Sequence, residues 1–365
     1  MRMPDSPYSP IFELTRGSTV ECIHSGAVAV VDVSGNLVAW YGNPDTVTFL
    51  RSTAKPFQAL PFFQHNGPAV LNLTEQEKAV ICSSHSGTDE HVSVVRSIQK
   101  KAGVDEAELL CGVHPPYHQP TADRLHDHKE PLSPNRHNCS GKHTGMLAWL
   151  KLRRRSGEAI PEAIEYIDPS HPIQNEILET FAEMCGLPVE RVALGIDGCS
   201  APNFAVPLRN AALAYARLCD PEAGNVMPAE RAAACRTITS AMSANPEMVG
   251  GPGRFDTCLM QTTRGKLVAK AGAEGYQGIG LMPGARSPGS PAMGIALKIA
   301  DGDDRKKART AVALEVLRQL GALRPDELEG LAEFGPGSTI TNWRNIPVGK
   351  AYPTFQLEYA ADTRS

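Results

Sequence analysis

Strand-like sequence lies at both ends of this chain and helix-like sequence fills the space between, and that order constrains the fold more than any other feature. From Val20 to Tyr41, β-branched and small residues alternate around Val33-Ser34-Gly35-Asn36, two extended runs joined by a tight turn, which predicts a β-hairpin. The middle changes character: Gln76 to Ala102, Lys142 to Arg154, His171 to Met184, Asn210 to Cys219 and Ala229 to Met242 show helical spacing with enrichment in Ala, Leu and Glu. After Arg254 the strand pattern returns. Thr257 to Thr262 and Leu267 to Ala271 are expected to flank the turn Thr263-Arg264-Gly265-Lys266 as a second hairpin, and Met293 to Ala300 reads as another strand. Asp304 to Leu320 reads as an amphipathic helix capped by Asp303 or Asp304 and stopped at Gly321, and Tyr352 to Tyr359 as a closing strand. Together these predict an α/β protein of the α+β kind: one antiparallel sheet formed from N- and C-terminal strands, with a largely helical middle on its face or to one side. We expect a single domain over residues 1–365, with 12–75 and 255–360 as its sheet part and 76–254 as its mainly helical part. Gly272 to Gly289 lacks the strand-turn-helix context of a nucleotide site and reads as a mobile loop.

Charge excludes one class of partner. Lys plus Arg total 36 against 40 Asp plus Glu, a formal net charge of −4, so no basic excess is present to hold a nucleic acid backbone. Unbroken apolar runs such as Ala27 to Val31 are far shorter than the ~20 residues a membrane helix needs. Met1 to Gly17 carries acidic, Pro and Ser residues in place of an apolar signal core. Nine Cys, odd in number and irregularly spaced, suit reduced thiols better than a disulfide framework, so a cytoplasmic protein is expected. Any Cys with a task is then a ligand, a nucleophile or a core filler. The basic run Lys151, Arg153, Arg154 and Arg155 falls at a helix C-terminus, where cations suit the dipole.

Three clusters carry reactive side chains. Ser52-Thr53-Ala54-Lys55 is a Ser-x-x-Lys placed between a strand end and the helix-like Phe57 to Gln64. Residues three apart on a helical turn are neighbours, and a desolvated Lys loses its proton more readily, so its neutral amine can take the proton of a hydroxyl. The bland alternative is a capping Ser with an exposed Lys. Cys82-Ser83-Ser84-His85-Ser86-Gly87 crowds hydroxyls and an imidazole into a loop that either holds a proton-transfer group or caps the helix starting near Asp89. Asn138-Cys139-Ser140-Gly141-Lys142-His143 and the later Asp197-Gly198-Cys199 offer two thiols and nitrogen donors, without the paired Cys-x-x-Cys spacing of a zinc site. The remaining Cys read as core fillers.

Taken with Arg51, Pro56, Gly195-Ile196 and Pro246-Glu247-Met248-Val249-Gly250-Gly251-Pro252-Gly253-Arg254, these segments resemble the rhizobial-type L-asparaginase II family, in the family's order and from about residue 12 to about 357. The resemblance implies a serine β-lactamase-like and glutaminase-like fold. It implies two Ser–Lys pairs, Ser52 with Lys55 and Ser84 with Lys270, and a Zn2+ held by Cys139, Lys142 and Cys199. It also implies L-asparagine as substrate, with Asp197 near metal and substrate. Asp197 is the candidate for the substrate ammonium and Arg254 for its carboxylate. A homodimer is the expected assembly. Two rivals remain: a β-lactamase-like or other amide hydrolase using the same Ser-x-x-Lys, and a non-catalytic amino-acid-binding relative.

Overall fold

The alternation near the N-terminus forms the strands Thr19–Asp32 and Leu37–Tyr41, paired antiparallel across a turn in which the Asp32 carboxylate accepts the N–H groups of Ser34 and Asn36. The structure is a computed structural model that describes residues 6–303 and 307–361. Its chain divides into two compact units, one made of the N-terminal segment to Thr53, Val206–Gly224 and the chain from Thr262 onward, the other of Ala54–Ala205 and Asn225–Gln261.

Among the described residues, the first unit is built on a nine-stranded antiparallel sheet drawn from both ends of the chain. Its main path runs Ser338–Thr341, Pro347–Pro353, Ser9–Arg16, Thr19–Asp32, Met293–Ile299, Tyr276–Leu281, Leu267–Ala271. Leu37–Tyr41 branches from Thr19–Asp32 and takes Glu358–Tyr359 on its other side. Ala27, Val28, Ala29 and Val30 are fully buried, as a central strand covered on both faces must be. The covers are two helices. Leu208–Cys219 lies on the face that carries Gly278, Gly280 and Gly294, whereas Arg309 of Ala308–Gln319 reaches Gln277, whose side chain points to the other face. At Gly294 a Cβ would stand 1.7 Å from the Ala212 carbonyl oxygen, so glycine there is what lets the first helix seat.

Three sequence expectations change here. Thr257 to Thr262 is not a strand but part of the helix Phe255–Thr263: its buried residues are Phe255, Asp256, Thr257, Leu259, Met260 and Thr263, in which 255, 259 and 263, and 256 and 260, recur every four residues rather than every two. The hairpin partner of Leu267–Ala271 is instead Tyr276–Leu281, which converts part of the expected Gly272–Gly289 loop into a fully buried strand. The expected closing strand Tyr352 to Tyr359 is instead the end of Pro347–Pro353 and the separate short strand Glu358–Tyr359. The helix near 304–320 is described as Ala308–Gln319; Asp303 accepts the N–H groups of Lys307, Ala308 and Arg309, and the expected start at Asp304 lies outside the described residues.

The second unit is mainly helical, with one short antiparallel pairing of Ala193–Ile196 with the start of Pro202–Pro207. Lys55–Gln64 packs against Pro172–Met184, Ala229–Ala244 and Ser140–Arg155, with Phe57 edge-on to Phe181 and Phe181 stacked on Phe204. The helical pattern over Gln76 to Ala102 divides into Glu75–Ile81 and Asp89–Ala102, each opened by a capping box, at Thr74 with Glu77 and at Thr88 with His91. The residues between them form a loop. Ser140–Arg155 crosses Glu75–Ile81 so closely that a Cβ at Gly141 would stand 2.1 Å from the Val80 oxygen. Among the described residues no helix is long and apolar enough to cross a membrane.

Candidate functional site

The close crossing at Gly141 brings three stretches of the helical unit to one point: the start of Lys55–Gln64, the loop after Ile81, and the residues before Ser140. Lys55 is buried, and its Nζ donates to Ser83 O at 2.6 Å, to Ser84 Oγ at 2.9 Å and to Asn138 O at 3.3 Å. The loop that carries Ser84 is clamped. Ser84 N–H donates to Val249 O at 2.9 Å and Ser86 Oγ to Gly250 O at 2.7 Å, which ties the loop to the 246–254 segment.

Imidazoles surround this point. His85 accepts Gly87 N–H at Nδ1, so Nε2 carries its proton toward Ser140 Oγ, which in turn donates to Asn135 O. Burial, then the charges of His91 and Lys55, hold His85 well below the usual histidine range. His91, stacked on His85 with centroids 5.0 Å apart, is lowered by burial too and donates Nε2–H to Glu247 O. His114 Nδ1 lies 2.6 Å from Pro115 O, an oxygen that only accepts, so Nδ1 bears the proton and Nε2 accepts Asn138 N–H at 3.1 Å. Asn138 Oδ1 is also 3.1 Å from Nε2 and would bond it only if the ring took a second proton. His137, pushed down to about 3 by burial and by His114, accepts Cys139 N–H at Nδ1.

Cys139, Lys142 and Cys199 converge beside this cluster, all buried. Lys142 Nζ donates to Cys199 Sγ at 3.0 Å. A hydrogen bond from Cys199 holds the Cys139 thiol well below its ordinary value, and that bond raises Cys199 in return. Burial pulls Lys142 down, but the Cys199 and Cys139 sulfurs outweigh it and the ammonium is held above its usual range. The donor set is two soft sulfurs and an amine, which fits a thiophilic metal once the Lys142 proton leaves. Among the described residues no group of three or more His, Cys, Asp or Glu side chains is placed to hold a metal ion, so a site here depends on Lys142 as a ligand. Asp197, half-buried in the turn after Ala193–Ile196, has its Oδ2 3.8 Å from Cys199 Sγ. Arg254 lies over the Tyr117 ring at 5.6 Å, and Tyr117 stacks on His114.

Ser52 and Lys270 belong to the sheet unit. Ser52 sits in the 3-10 turn Arg51–Ala54, entered through Arg51 at φ 52°, a left-handed conformation that costs a non-glycine residue energy and tends to be kept where a site needs it. Lys270 is buried on the strand Leu267–Ala271 and donates to Ala271 O at 2.8 Å. It pairs with Gly278, so it faces the side on which Tyr215 lies. Tyr215 Oη donates to Thr53 O at 2.8 Å, and Gly272 lies against Leu50 O and Thr53, which seats the Ser52 turn against the end of the Lys270 strand.

Sequence reasoning passed over His114, His137 and Tyr215. The one available signal was density: six of the eleven histidines fall between residues 114 and 143.

The family model described as L-asparaginase II matches residues 12–353. No curated protein matches the chain significantly. Among solved structures, a probable glutaminase from Bacillus subtilis complexed with 6-diazo-5-oxo-L-norleucine is 13% identical, with 81% of this chain and 83% of that one covered and a TM-score of 0.36. A Bacillus glutaminase in 4.3 M NaCl is 11% identical, with 80% and 90% covered and a TM-score of 0.35.

Proposed function

Since the chain belongs to the L-asparaginase II family, we propose that it hydrolyses L-asparagine to L-aspartate and ammonia through a serine acyl-enzyme. Membership makes it an amidohydrolase acting on amino acid amides. The observation that supports the finer reading is the coordination of Lys55. Of its three oxygen acceptors, Ser83 O and Asn138 O can only accept, whereas the Ser84 hydroxyl can also donate; the Cys139 thiol is a further hydrogen-bond partner of Lys55. A neutral Lys55 therefore keeps two N–H groups on the carbonyls and turns its lone pair to the Ser84 proton. That is the geometry of a general base.

In the forward step Ser84 Oγ attacks the side-chain amide carbon as its proton passes to Lys55. The C–N bond breaks, the amide nitrogen takes that proton, and ammonia leaves. Water then attacks the ester, its proton passing to Lys55 and on to Ser84 Oγ as aspartate departs. Lys55 is thus taken with Ser84 rather than with Ser52, the pairing the family resemblance implied, and Ser52 and Lys270 are proposed as a second set in the sheet unit. A second reading makes Ser52 the acylated residue, favoured by the strained Arg51 that turns the chain just before it. Asp197 is proposed for the substrate ammonium and Arg254 for its carboxylate, and a homodimer in the cytoplasm is proposed as the working form. We propose further that Cys139, Lys142 and Cys199 hold Zn2+, which when bound would supply a weakly Lewis-acidic centre that orients polar groups of the substrate.

Ammonia release from asparagine, measured on Lys55→Met, Ser84→Ala and Ser52→Ala, tests the relay. Each is expected to lose about a hundredfold or more in kcat with folding intact. Near wild-type turnover in Lys55→Met would remove the base, and peptide mapping of the trapped acyl-enzyme decides which serine carries it.

A further inference from the structure

We infer that His114 is a positioning residue for Lys55, acting through the main chain of Asn138. The inference rests on the proton relay proposed above. That relay needs both fixed carbonyls, because a neutral amine aims its lone pair at Ser84 only while its two N–H groups are held elsewhere. The Ser83 carbonyl is secured by its own peptide, whose N–H, that of Ser84, donates to Val249 O. Asn138 precedes the helix Ser140–Arg155, and two imidazoles hold the peptides on either side of it: His137 Nδ1 accepts Cys139 N–H, which fixes the peptide that carries Asn138 O, and His114 Nε2 accepts Asn138 N–H, which fixes the peptide before it.

His137 is local to that loop. His114 comes from 24 residues earlier in the chain and is itself braced from three directions: Nδ1–H on Pro115 O, the Tyr117 ring stacked at 4.8 Å, and the His137 ring at 4.3 Å. Its Nε2 lone pair is thereby aimed at one amide. If that bond is lost, the peptide before Asn138 is released and His137 alone is left to hold Asn138 O toward Lys55, so one of the two N–H anchors that aim the lone pair at Ser84 is loosened.

Two substitutions separate this role from simple packing. His114→Phe keeps a ring between Tyr117 and His137 but has no acceptor; His114→Gln loses the ring but offers an amide oxygen to Asn138 N–H. With L-asparagine as substrate, His114→Phe is expected to lose roughly tenfold or more in kcat while KM stays within about twofold. His114→Gln is expected to recover most of the loss, both variants melting near the wild type. Wild-type kcat in His114→Phe would overturn the inference. So would the reverse order, with Gln worse than Phe, which is the signature of a stacking role. Lys55→Met measured alongside keeps the two claims apart: if it turns over normally the relay itself fails, and if it is dead while His114→Phe is normal only the positioning fails.

Discussion

The two units place reactive side chains by different means. In the sheet unit Lys270 is held by strand register: its partner is Gly278, its face is the Tyr215 face, and its strand end meets the Ser52 turn. In the helical unit Lys55, Ser84 and Asn138 sit at helix ends and in loops, brought together by the crossing at Gly141 and locked by side-chain and imidazole hydrogen bonds. Register positions a residue by many equivalent main-chain bonds, so loss of one side chain is absorbed. A loop site depends on a few particular bonds, and each one counts. The ionisable groups follow the same division, since ten of the eleven histidines lie in the helical unit and only His24 lies in the sheet unit.

That contrast can be broken in three ways. The largest effect is expected from metal. The proposed zinc ligands Cys139, Lys142 and Cys199 all belong to the helical unit, so saturating zinc at a thousandfold excess over Kd should stabilise that unit by about 4 kcal/mol. Hydrogen exchange resolved by peptide would show the gain across Ser140–Arg155, its reversal by a chelator, and its loss in Cys139→Ala. Equal protection with and without zinc would remove the metal site.

Overpacking comes next. Gly141→Ala and Gly294→Ala each drive a Cβ into a carbonyl oxygen, in the helical and the sheet unit respectively, and each should cost about 1–3 kcal/mol in thermal or denaturant unfolding. The Lys55 and Ser84 contacts hang on the first crossing and not on the second. Gly141→Ala should therefore lower kcat well beyond its stability loss, and Gly294→Ala should leave kcat of the folded fraction unchanged. Equal effects on kcat would erase the distinction between the units.

The smallest expected effect is acidification. Burial holds His85 and His91 below the ordinary value of 6.5, so both stay neutral in the folded chain while the unfolded chain binds protons from about pH 6.5 downward. A depressed histidine favours the folded state above its unfolded pKa, and that stability is lost as pH falls below about 6.5 toward the folded values. The slope is at most about 1.4 kcal/mol per pH unit for each histidine. Exchange protection across Asp89–Ala102 should therefore fall with pH before that of Thr19–Asp32. The opposite order would mean that the imidazole cluster is not buried neutral.

Much of this protein was determined by sequence alone, wherever the signal is local. Hydrophobic period placed the helices Pro172–Met184 and Ala229–Ala244 within a few residues, and alternation placed Thr19–Asp32 with Leu37–Tyr41, because period depends only on which side of an element meets the core. The ordered motifs around Ser52, Ser84, Cys139, Cys199 and Gly250 marked the segments that carry the family resemblance. Tertiary structure decided the rest. Phe255–Thr263 became a helix through which residues its neighbours buried, and Tyr276–Leu281 became a strand through its pairing with Leu267–Ala271 and Met293–Ile299, its glycines letting helix Leu208–Cys219 approach. The Lys55 hydrogen bond to Ser84, 29 residues away, and the His114 bond to Asn138, 24 residues away, are encoded in no spacing. They exist because helix Ser140–Arg155 rests on Val80 through Gly141, and a contact made by packing two helices cannot be read from either one alone.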